Sequence, residues 1–243
     1  MSYSIESITE SIGARRMGNA PATIDWLLTD SRSLNFPEET LFFALTTKRN
    51  DGARYIADLY ARGVRNFVLS EESFRLMDNG QLTIDNAMQR DDAQSIVNYL
   101  IVPNPLKALQ KLAEQHRNRF QIPVIGITGS NGKTVVKEWL HQLLSPERAI
   151  IRSPRSYNSQ IGVPLSVWQM NEQSELAIFE AGISEPGEMR ALQNIIKPTI
   201  GILTNIGGAH QENFFSLQEK CMEKLTLFKN CDGVSYNGDD EFV

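Results

Sequence analysis

The sequence predicts an α/β protein in which a mixed α/β N-terminal domain precedes a central domain with a mainly parallel sheet flanked by helices. Two observations lead to this prediction. Before residue 104, short apolar and helical segments follow one another in no regular order. After it, apolar runs alternate with helical or loop segments. Such alternation is typical of a parallel sheet covered on both faces.

The composition is that of an ordinary globular protein, with 41% hydrophobic and 22% charged residues. At 243 residues, the length favours two domains. A net charge of -5 gives no long-range attraction to nucleic acid or to anionic membranes. Two cysteines are too few for a disulfide framework, and no signal sequence or membrane-spanning run is recognisable. We therefore expect a cytoplasmic protein with reduced thiols, no nucleic-acid partner and no membrane insertion.

The first domain is predicted to begin with an amphipathic helix. In the segment SIESITESIG, Ile5, Ile8 and Ile12 recur at helical spacing and form one apolar stripe. A second short helix is predicted in RYIADLYARG, where Gly63 ends it. The segments that favour strands are IDWLLTDSR, TLFFAL and NFVLS.

A domain boundary is predicted near residue 104, in the segment VPNPLKAL. Asn104 can cap a helix, and Pro105 suits its first turn, so a helix should run from there to about Arg119. The two predicted domains are therefore residues 1–103 and 104–243.

The second domain contains five apolar runs that read as strands: PVIGIT, RAIIR, LAIFEAG, TIGILTN and GVSYN. Ligands of parallel sheets bind beyond the carboxyl ends of the strands, so we expect one site at that edge. The polar residues that follow the five runs are Ser130 to Thr134, Asn158, Glu180, Asn205 with His210, and Asn237 with Asp239 and Asp240. For Asp239 and Asp240 an ordinary turn is the favoured interpretation.

The loop after the first of these strands has the composition of a phosphate-binding loop. It reads Gly126-x-x-Gly129-x-x-Gly132-Lys133-Thr134, with Ile127 where the strict P-loop pattern has its first glycine. Glycines let backbone N–H groups converge on an anion, the lysine can reach the β- and γ-phosphates, and the threonine can ligate Mg²⁺. A glycine-rich turn with a surface lysine is the alternative. The next helix is predicted to bury one face, comprising Val135, Val136, Trp139, Leu140, Leu143 and Leu144.

The loop GITGSNGKT resembles that of the Mur ligases, the ATP-dependent amino-acid-adding enzymes of peptidoglycan synthesis. Other segments are similar to family segments in the same order along the chain: TDSRSLNFPEETLFFAL, YNSQIGVPLSV, FEAGISEPGEM and HQENFFSLQEKCMEK. The second and the last favour the branch that adds D-alanyl-D-alanine over the branch that forms the tripeptide. Ser159 departs from the family pattern, which has asparagine there. ALTTKRNDG lacks a family glycine, so substrate contacts between Thr46 and Asp51 stay open.

The resemblance implies roles for individual residues. Lys133, His210 and Lys224 would be catalytic. Thr134 and Glu180 would hold one Mg²⁺, and His210 with Lys224 would serve a second. The nucleotide-binding set would be Gly129, Ser130, Asn131, Gly132, Lys133, Thr134 and Asn158. Ser31 and Arg32 are candidates for the uridine-nucleotide end of the substrate. From the pattern alone, Glu180 could equally cap a helix or be solvated, and a lone histidine such as His210 is more often structural than a ligand.

Lys224 is unusual independently of the resemblance. Ser216 and Glu219 have capping-box spacing, so a helix should begin there. Its apolar face would contain Leu217, Cys221, Leu225 and Phe228, with Lys224 among them. A buried ammonium is unfavourable unless it is paired, although its stem can extend to solvent, and the pattern leaves both open. The resemblance implies a carbamylated Lys224, which turns a cation into an anionic metal ligand.

The function that the resemblance implies is ATP-dependent ligation of D-alanyl-D-alanine to UDP-N-acetylmuramoyl-tripeptide through an acyl phosphate. Family members have a third domain, which we expect to be missing here because the chain stops at Val243 after the fifth central strand; we expect these 243 residues alone not to ligate. Some members also carry a fused alanine racemase, and this possibility stays open. Alternatives are a tripeptide-forming or folylpolyglutamate synthetase-type ligase, or a nucleotide-binding module without turnover.

Overall fold

A computed structural model describes residues 1–47, 50–78, 96–208 and 213–239 of the chain. The chain divides into two compact units, residues 1–112 and 113–243. The division falls inside a helix that begins at Pro105. The domain boundary near residue 104 stays a prediction. Within the described residues, every helix is too short or too polar to cross a bilayer.

The first unit is built on a five-stranded mixed sheet. Its elements in chain order are β1 (Tyr3–Ser4), α1 (Ile5–Ile12), β2 (Arg15–Met17), β3 (Thr23–Ile24), β4 (Trp26–Leu28), β5 (Thr40–Phe43), β6 (Thr46–Thr47), β7 (Asn50–Asp51), α2 (Ile56–Ala61), β8 (Asn66–Ser70), α3 (Glu71–Asp78), β9 (Asn98–Val102) and α4 (Pro105–Arg117). The sheet order is β2, β9, β8, β5, β4, and only the β2–β9 pair is antiparallel. Strands β1 with β3, and β6 with β7, form two small antiparallel pairs.

The structure confirms the predicted helices of this unit, and their ends have local causes. Helix α1 buries Ile5, Ile8 and Ile12, and it ends at Gly13 in the left-handed conformation (φ 70°). In α4 the Asn104 side chain accepts a hydrogen bond from the N–H of Lys107 at 3.0 Å, as a cap should. This helix ends at Arg117, two residues before the predicted position.

The second unit contains the predicted parallel sheet. Its elements in chain order are β10 (Val124–Thr128), α5 (Lys133–Leu144), β11 (Ile150–Arg152), α6 (Gly162–Val167), β12 (Leu176–Glu180), α7 (Glu188–Ile196), β13 (Ile200–Leu203), α8 (Leu217–Leu225) and β14 (Gly233–Tyr236). The strand order is β11, β12, β10, β13, β14, and every neighbouring pair is parallel. All five strands predicted from apolar runs are therefore confirmed, and their carboxyl ends share one edge.

Apolar side chains cover both faces of this sheet, as predicted. On one face, Val124, Phe179 and Leu203 belong to the same core cluster as residues of α6 and α7. On the other face, Ile125, Ile127 and Ile178 pack against the Val136 side of α5. Burying the apolar surface on both faces is the main source of stability of such a sheet. It also fixes the strand ends at which the candidate site lies.

Helix α5 differs from the prediction in the face that it buries. Val136, Leu140 and Leu144 pack on the sheet, but Val135, Trp139 and Leu143 are exposed, with Trp139 63% accessible. The six residues form two adjacent stripes, and at about 100° per residue only one stripe can lie at the centre of the buried face. The helix is rotated so that Lys137, which is 0% exposed, faces inward instead of the second stripe.

His116 lies buried near the end of α4 and is 2% exposed. Its Nε2 lies 3.0 Å from the carbonyl oxygen of Met170, and its ring contacts those of Phe120 and Trp168. Burial lowers the pKa of His116 to about 4, from 6.5. The imidazole is therefore neutral in the folded protein at neutral pH.

We expect His116 to make the free energy of unfolding fall as the pH drops from 6.5 to 4. In that window the unfolded chain protonates this histidine and the folded chain does not, so protonation favours unfolding. The full shift corresponds to about 3 kcal/mol. A His116→Gln variant keeps a neutral donor toward the carbonyl oxygen of Met170. Between pH 6.5 and 4, its free energy of unfolding should fall by about 3 kcal/mol less than that of the parent. Urea unfolding of parent and variant at several pH values measures the difference, and parallel profiles would contradict the expectation.

Candidate functional site

The glycine-rich loop connects β10 to α5 at the carboxyl edge of the second sheet. Gly129 has a φ of 143° and Gly132 a φ of 80°, which side chains other than glycine adopt with strain. A Cβ atom at Gly129 would lie 1.9 Å from Oγ1 of Thr204. Gly126 has a different role: it lies inside β10, where a Cβ atom would come within 2.8 Å of Pro198. Two of the three glycines therefore shape the loop, and the third permits packing against the strand.

The segment after β13 holds the loop in place. The N–H of Ser130 donates to the carbonyl oxygen of Asn205, and the N–H of Asn131 donates to Oδ1 of Asn205, both at 2.9 Å. The Ser130 hydroxyl donates to the carbonyl oxygen of Gly207 and accepts from the N–H of Gly207. Asn205, predicted as a member of the site, thus acts on the backbone of the loop.

The N-terminus of α5 is arranged for an anion. The N–H of Val136 donates to the carbonyl oxygen of Gly132 at 3.0 Å, so the amides before it have no acceptor within their own helix. Such amides, together with the helix dipole, attract phosphate groups. Lys133 is the first residue of this helix, and its Nζ donates to the carbonyl oxygen of Gly129 at 2.9 Å, across the loop. Burial lowers the pKa of Lys133, while the Glu180 carboxylate opposes that shift.

Thr134, Asn158 and Glu180 come together beside the loop. The Thr134 hydroxyl donates to Oε2 of Glu180 at 3.0 Å, and the Asn158 amide lies 3.4 Å from the same oxygen. Glu180 is 0% exposed at the end of β12. A carboxylate with a threonine hydroxyl is a donor set that suits Mg²⁺, which usually binds one or two carboxylates and takes its other ligands from phosphates and water. Glu180 does not cap a helix here, and Thr134 and Glu180, the predicted ligands of one Mg²⁺, are in contact.

Lys137 is a site residue that the sequence analysis missed. Its Nζ lies 2.9 Å from Oε1 of Glu180, and both side chains are 0% exposed. No described residue donates an aligned hydrogen bond to this oxygen, so the contact with Lys137 is an ion pair. Lys137 lies outside the apolar stripes that the sequence predicted as the buried face of α5, so the pattern that singled out Lys224 did not reveal it.

Lys224 also contacts the loop. It is 3% exposed on α8, and its Nζ donates to the carbonyl oxygen of Gly129 at 3.2 Å. Burial, together with the charges of Lys133 and Lys220, lowers the pKa of Lys224 to about 8. The sequence left open whether the Lys224 ammonium is buried with a partner or extends to solvent. The structure shows that it is buried and hydrogen-bonded. Ser216 caps α8 by accepting from the N–H of Glu219, as predicted.

Lys220, one turn before Lys224, was not predicted as part of the site. It is 1% exposed, and its Nζ donates to the carbonyl oxygen of Gly207, the residue that also binds Ser130. Three lysines, Lys133, Lys220 and Lys224, therefore surround the loop. Their mutual repulsion would be relieved by a polyanion.

Some of the remaining predicted residues lie outside the described part of the chain. His210 and Asp240 fall outside the described residues. Asp239 donates its N–H to the Asn237 side chain at 3.2 Å in an exposed turn, in agreement with the turn interpretation. Ser159, where the sequence departs from the family pattern, accepts from the N–H of Gly162 through its hydroxyl at the start of α6.

Ser31 and Arg32 lie in the first unit, in a 3₁₀ turn that Asp30 caps. The Arg32 guanidinium pairs with the Asp30 carboxylate at 2.6 Å, and its side chain is 87% exposed. The hydrogen bond from Arg32 lowers the pKa of Asp30. The role of both residues in binding the uridine nucleotide stays a prediction.

The strand, the glycine-rich turn and the lysine that begins the next helix place the second unit in the class of P-loop α/β proteins. Residues 127–243 match the Mur ligase middle domain. The chain belongs to the Mur ligase family, and relatives support this over most of its length. It is 34% identical over 211 residues to the UDP-N-acetylmuramoyl-tripeptide--D-alanyl-D-alanine ligase of Borreliella burgdorferi, which is 86% of this chain and 43% of the relative. The ligase of the same name from Bacillus subtilis is 30% identical over 223 residues, which is 90% of this chain and 45% of the relative.

Solved structures of the same branch have this fold. The chain superposes on MurF from Acinetobacter baumannii with a TM-score of 0.82 at 23% identity, covering 100% of this chain and 50% of that one. MurF from Thermotoga maritima, solved in complex with ADP, gives a TM-score of 0.70 at 26% identity, with coverage of 88% and 46%. The chain thus spans about half the length of the proteins that it matches.

Proposed function

We propose that this chain carries the substrate-binding and ATP-binding domains of a MurF-type ligase, residues 1–103 and 104–243. The ligase would join D-alanyl-D-alanine to UDP-N-acetylmuramoyl-tripeptide at the expense of ATP, in peptidoglycan synthesis. One observation carries the proposal: the loop between β10 and α5 brings Lys133, the Thr134–Glu180 pair and Lys224 to one place, in a chain similar to MurF ligases. Because ATP and UDP-linked precursors are cytoplasmic metabolites, the proposed compartment is the cytoplasm.

The proposed reaction has two steps. A carboxylate oxygen of the tripeptide attacks the γ-phosphorus of ATP, which forms an acyl phosphate and releases ADP. The amine of D-alanyl-D-alanine then attacks the acyl carbon, loses a proton and expels phosphate, which leaves the amide. The protein contributes positioning and charge neutralisation more than covalent chemistry.

Each site residue has a proposed part in these steps. The loop from Gly129 to Gly132, including Ser130 and Asn131, offers amides to the phosphates, and Lys133 exchanges the Gly129 carbonyl for a γ-phosphoryl oxygen. Thr134 and Glu180, with Asn158 beside them, hold Mg²⁺, which when bound neutralises charge on the phosphate oxygens. Ser31 and Arg32 are proposed to bind the uridine-nucleotide end of the substrate.

Lys224 is proposed to be carbamylated. The ammonium first gives one proton to water, and the neutral amine then attacks CO₂. A nitrogen–carbon bond forms as one carbon–oxygen π bond opens, and a second proton leaves to water. A cation thereby becomes an anion that can ligate a second Mg²⁺ together with His210. The lowered pKa of Lys224 supports this because only the neutral amine reacts.

The test is a comparison of substrates with the complete gene product. UDP-N-acetylmuramoyl-tripeptide, with lysine or diaminopimelate as its third residue, should support ADP release and amide formation with D-alanyl-D-alanine in equal amounts. The corresponding dipeptide and a folate are the matched controls for the related ligases and should support neither. Turnover with one of them instead would reassign the substrate, and MgATP binding without any product would favour a nucleotide-binding module.

A further inference from the structure

We propose that Lys137 is a positioning residue that acts as the built-in counter-ion of Glu180, so that Mg²⁺ enters this site together with the nucleotide and not alone. The inference rests on the proposed function in one respect, namely that Glu180 is a metal ligand. What it adds is a role for a lysine that touches neither the loop nor the phosphates in the proposed mechanism. Three observations support the inference: the four contacts of the Lys137 ammonium, the different partners of the two Glu180 oxygens, and the surrounding charges.

The contacts fix the Lys137 ammonium in the interior. Its Nζ donates to the carbonyl oxygen of Ser153 at 2.8 Å and to that of Arg155. It also lies 2.9 Å from Oε1 of Glu180 and 3.2 Å from Oε1 of Glu138. These partners come from the end of β12, the segment after β11 and α5 itself. Two of the three ammonium protons are donated to carbonyl oxygens, and two carboxylates lie at ion-pair distance, so these four contacts hold the group in this position.

The buried carboxylate needs such a partner before any metal arrives. Glu180 has no solvent exposure, and an uncompensated charge in that environment is strongly destabilising. Removing one member of a buried pair leaves the other uncompensated, which usually costs more than removing both. Lys137 therefore supplies the charge partner of Glu180 inside the folded protein before any metal is bound.

The two oxygens of Glu180 face different groups. Oε1 is occupied by Lys137, while Oε2 accepts from Thr134 and lies near Asn158. The Lys137 ammonium thus pairs with Oε1 and leaves Oε2 facing the Thr134 hydroxyl, beside the proposed nucleotide site. This division orients the carboxylate plane, which a freely rotating glutamate would not maintain.

The surrounding charges disfavour a bare divalent cation. Lys137 already balances Glu180, and Lys133 and Lys220 add positive charge around the loop. Glu138 also faces Lys137, but it pairs with Arg152 at 3.1 Å. Among the residues that the structure describes, no three His, Cys, Asp or Glu side chains are placed to bind a metal. A triphosphate would reverse the sign of the local charge and supply the missing oxygen ligands, so metal and nucleotide should bind together.

The first arm of the test uses the parent chain. Its melting temperature is measured with Mn²⁺ alone, ADP alone and Mn²⁺ with ADP, and Mn²⁺ binding is followed by electron paramagnetic resonance. We expect Mn²⁺ alone to leave the melting temperature unchanged and to bind only weakly, whereas Mn²⁺ with ADP should raise the melting temperature. Tight binding of Mn²⁺ to the parent without nucleotide would overturn the inference, whatever the variants do.

The second arm replaces the counter-ion. Lys137→Met keeps the length of the side chain without its charge and should lower the melting temperature by about 10 °C. Mn²⁺ alone should then restore about 5 °C, because a divalent cation replaces the missing charge. Glu138→Gln, which alters the other carboxylate near Lys137, is the matched control and should show neither effect. If Lys137→Met is destabilised but does not respond to Mn²⁺, the lysine is merely structural and the inference is wrong.

A double variant covers the case in which Lys137→Met does not fold. Lys137→Met with Glu180→Gln removes both charges and should be more stable than Lys137→Met alone, without any response to Mn²⁺. Equal instability of the single and double variants would contradict the pairing. The failures are distinguishable: if Mn²⁺ with ADP does not stabilise the parent, the proposed nucleotide site is wrong, whereas loss of only the Mn²⁺ response of Lys137→Met removes only the counter-ion role.

Discussion

Replacing Lys133 by alanine should lower the affinity for MgATP by about 10- to 100-fold, because a charge-assisted hydrogen bond to phosphate is lost. The rate of ADP formation by the complete gene product should fall by about 10²- to 10³-fold, since the ammonium would bind the γ-phosphoryl group as its charge changes in the transition state. Titration calorimetry measures the affinity, and a coupled ADP assay measures the rate.

The matched control is Lys229→Ala, which removes an exposed lysine of the same unit and should change neither quantity. The Lys133 variant should remain folded, because the hydrogen bond that its ammonium makes within the described residues is to the carbonyl oxygen of Gly129, and burial already disfavours the charge there. Unchanged affinity for MgATP in the Lys133 variant would mean that the loop does not bind a triphosphate, and the proposed function would then lose its main support.

Replacing Lys224 by methionine should abolish ligation by the complete gene product while leaving MgATP affinity within about threefold of the parent. Methionine keeps the buried stem of the side chain but cannot form a carbamate, so the anion that would hold the second metal is lost. We expect a fall in rate of at least about 10³-fold, comparable to the loss of a main electrostatic contact in the transition state. An amide-forming assay with UDP-N-acetylmuramoyl-tripeptide measures it.

A spectroscopic measurement separates carbamylation from a purely structural role of Lys224. Parent protein under ¹³CO₂ should show a carbamate carbon resonance that is absent from the Lys224→Met variant. With a pKa of about 8, the neutral amine fraction rises with pH from 7 to 9, so at fixed dissolved CO₂ the resonance should grow over that range. Full ligase activity in the variant would contradict the proposed role, and so would a parent without the resonance.

The sequence predicted the sheet of the second unit well because its information was local. Each strand, such as Val124–Thr128 or Leu176–Glu180, is a short apolar run bounded by turn residues, and parallel strands with both faces covered need such runs. The loop was predicted for a similar reason, since the glycines at 129 and 132 have conformations that other residues adopt with strain.

The rotation of α5 and the buried lysines could not be predicted in the same way. The apolar residues of this helix form two stripes, and the choice between them depends on the partner of Lys137, which is 43 positions away in Glu180. The local hydrophobic pattern of a helix carries no information about an ion pair with a residue so far away in the sequence. The role of Lys220 was not predicted either. Its hydrogen-bond acceptor is the backbone carbonyl oxygen of Gly207, and every residue has such a group, so the sequence does not mark it.

The carbonyl oxygen of Gly129 accepts from both Lys133 and Lys224, and this has a consequence for how the chain can change over time. The acceptor belongs to the backbone, so no substitution can delete it, and a change at either lysine alters the electrostatic surroundings of the other. Substitutions at groups that share a partner are not additive. Positions 133 and 224 are 91 residues apart in the chain. We therefore expect them to change together in evolution, because the replacement tolerated at one position depends on the residue at the other.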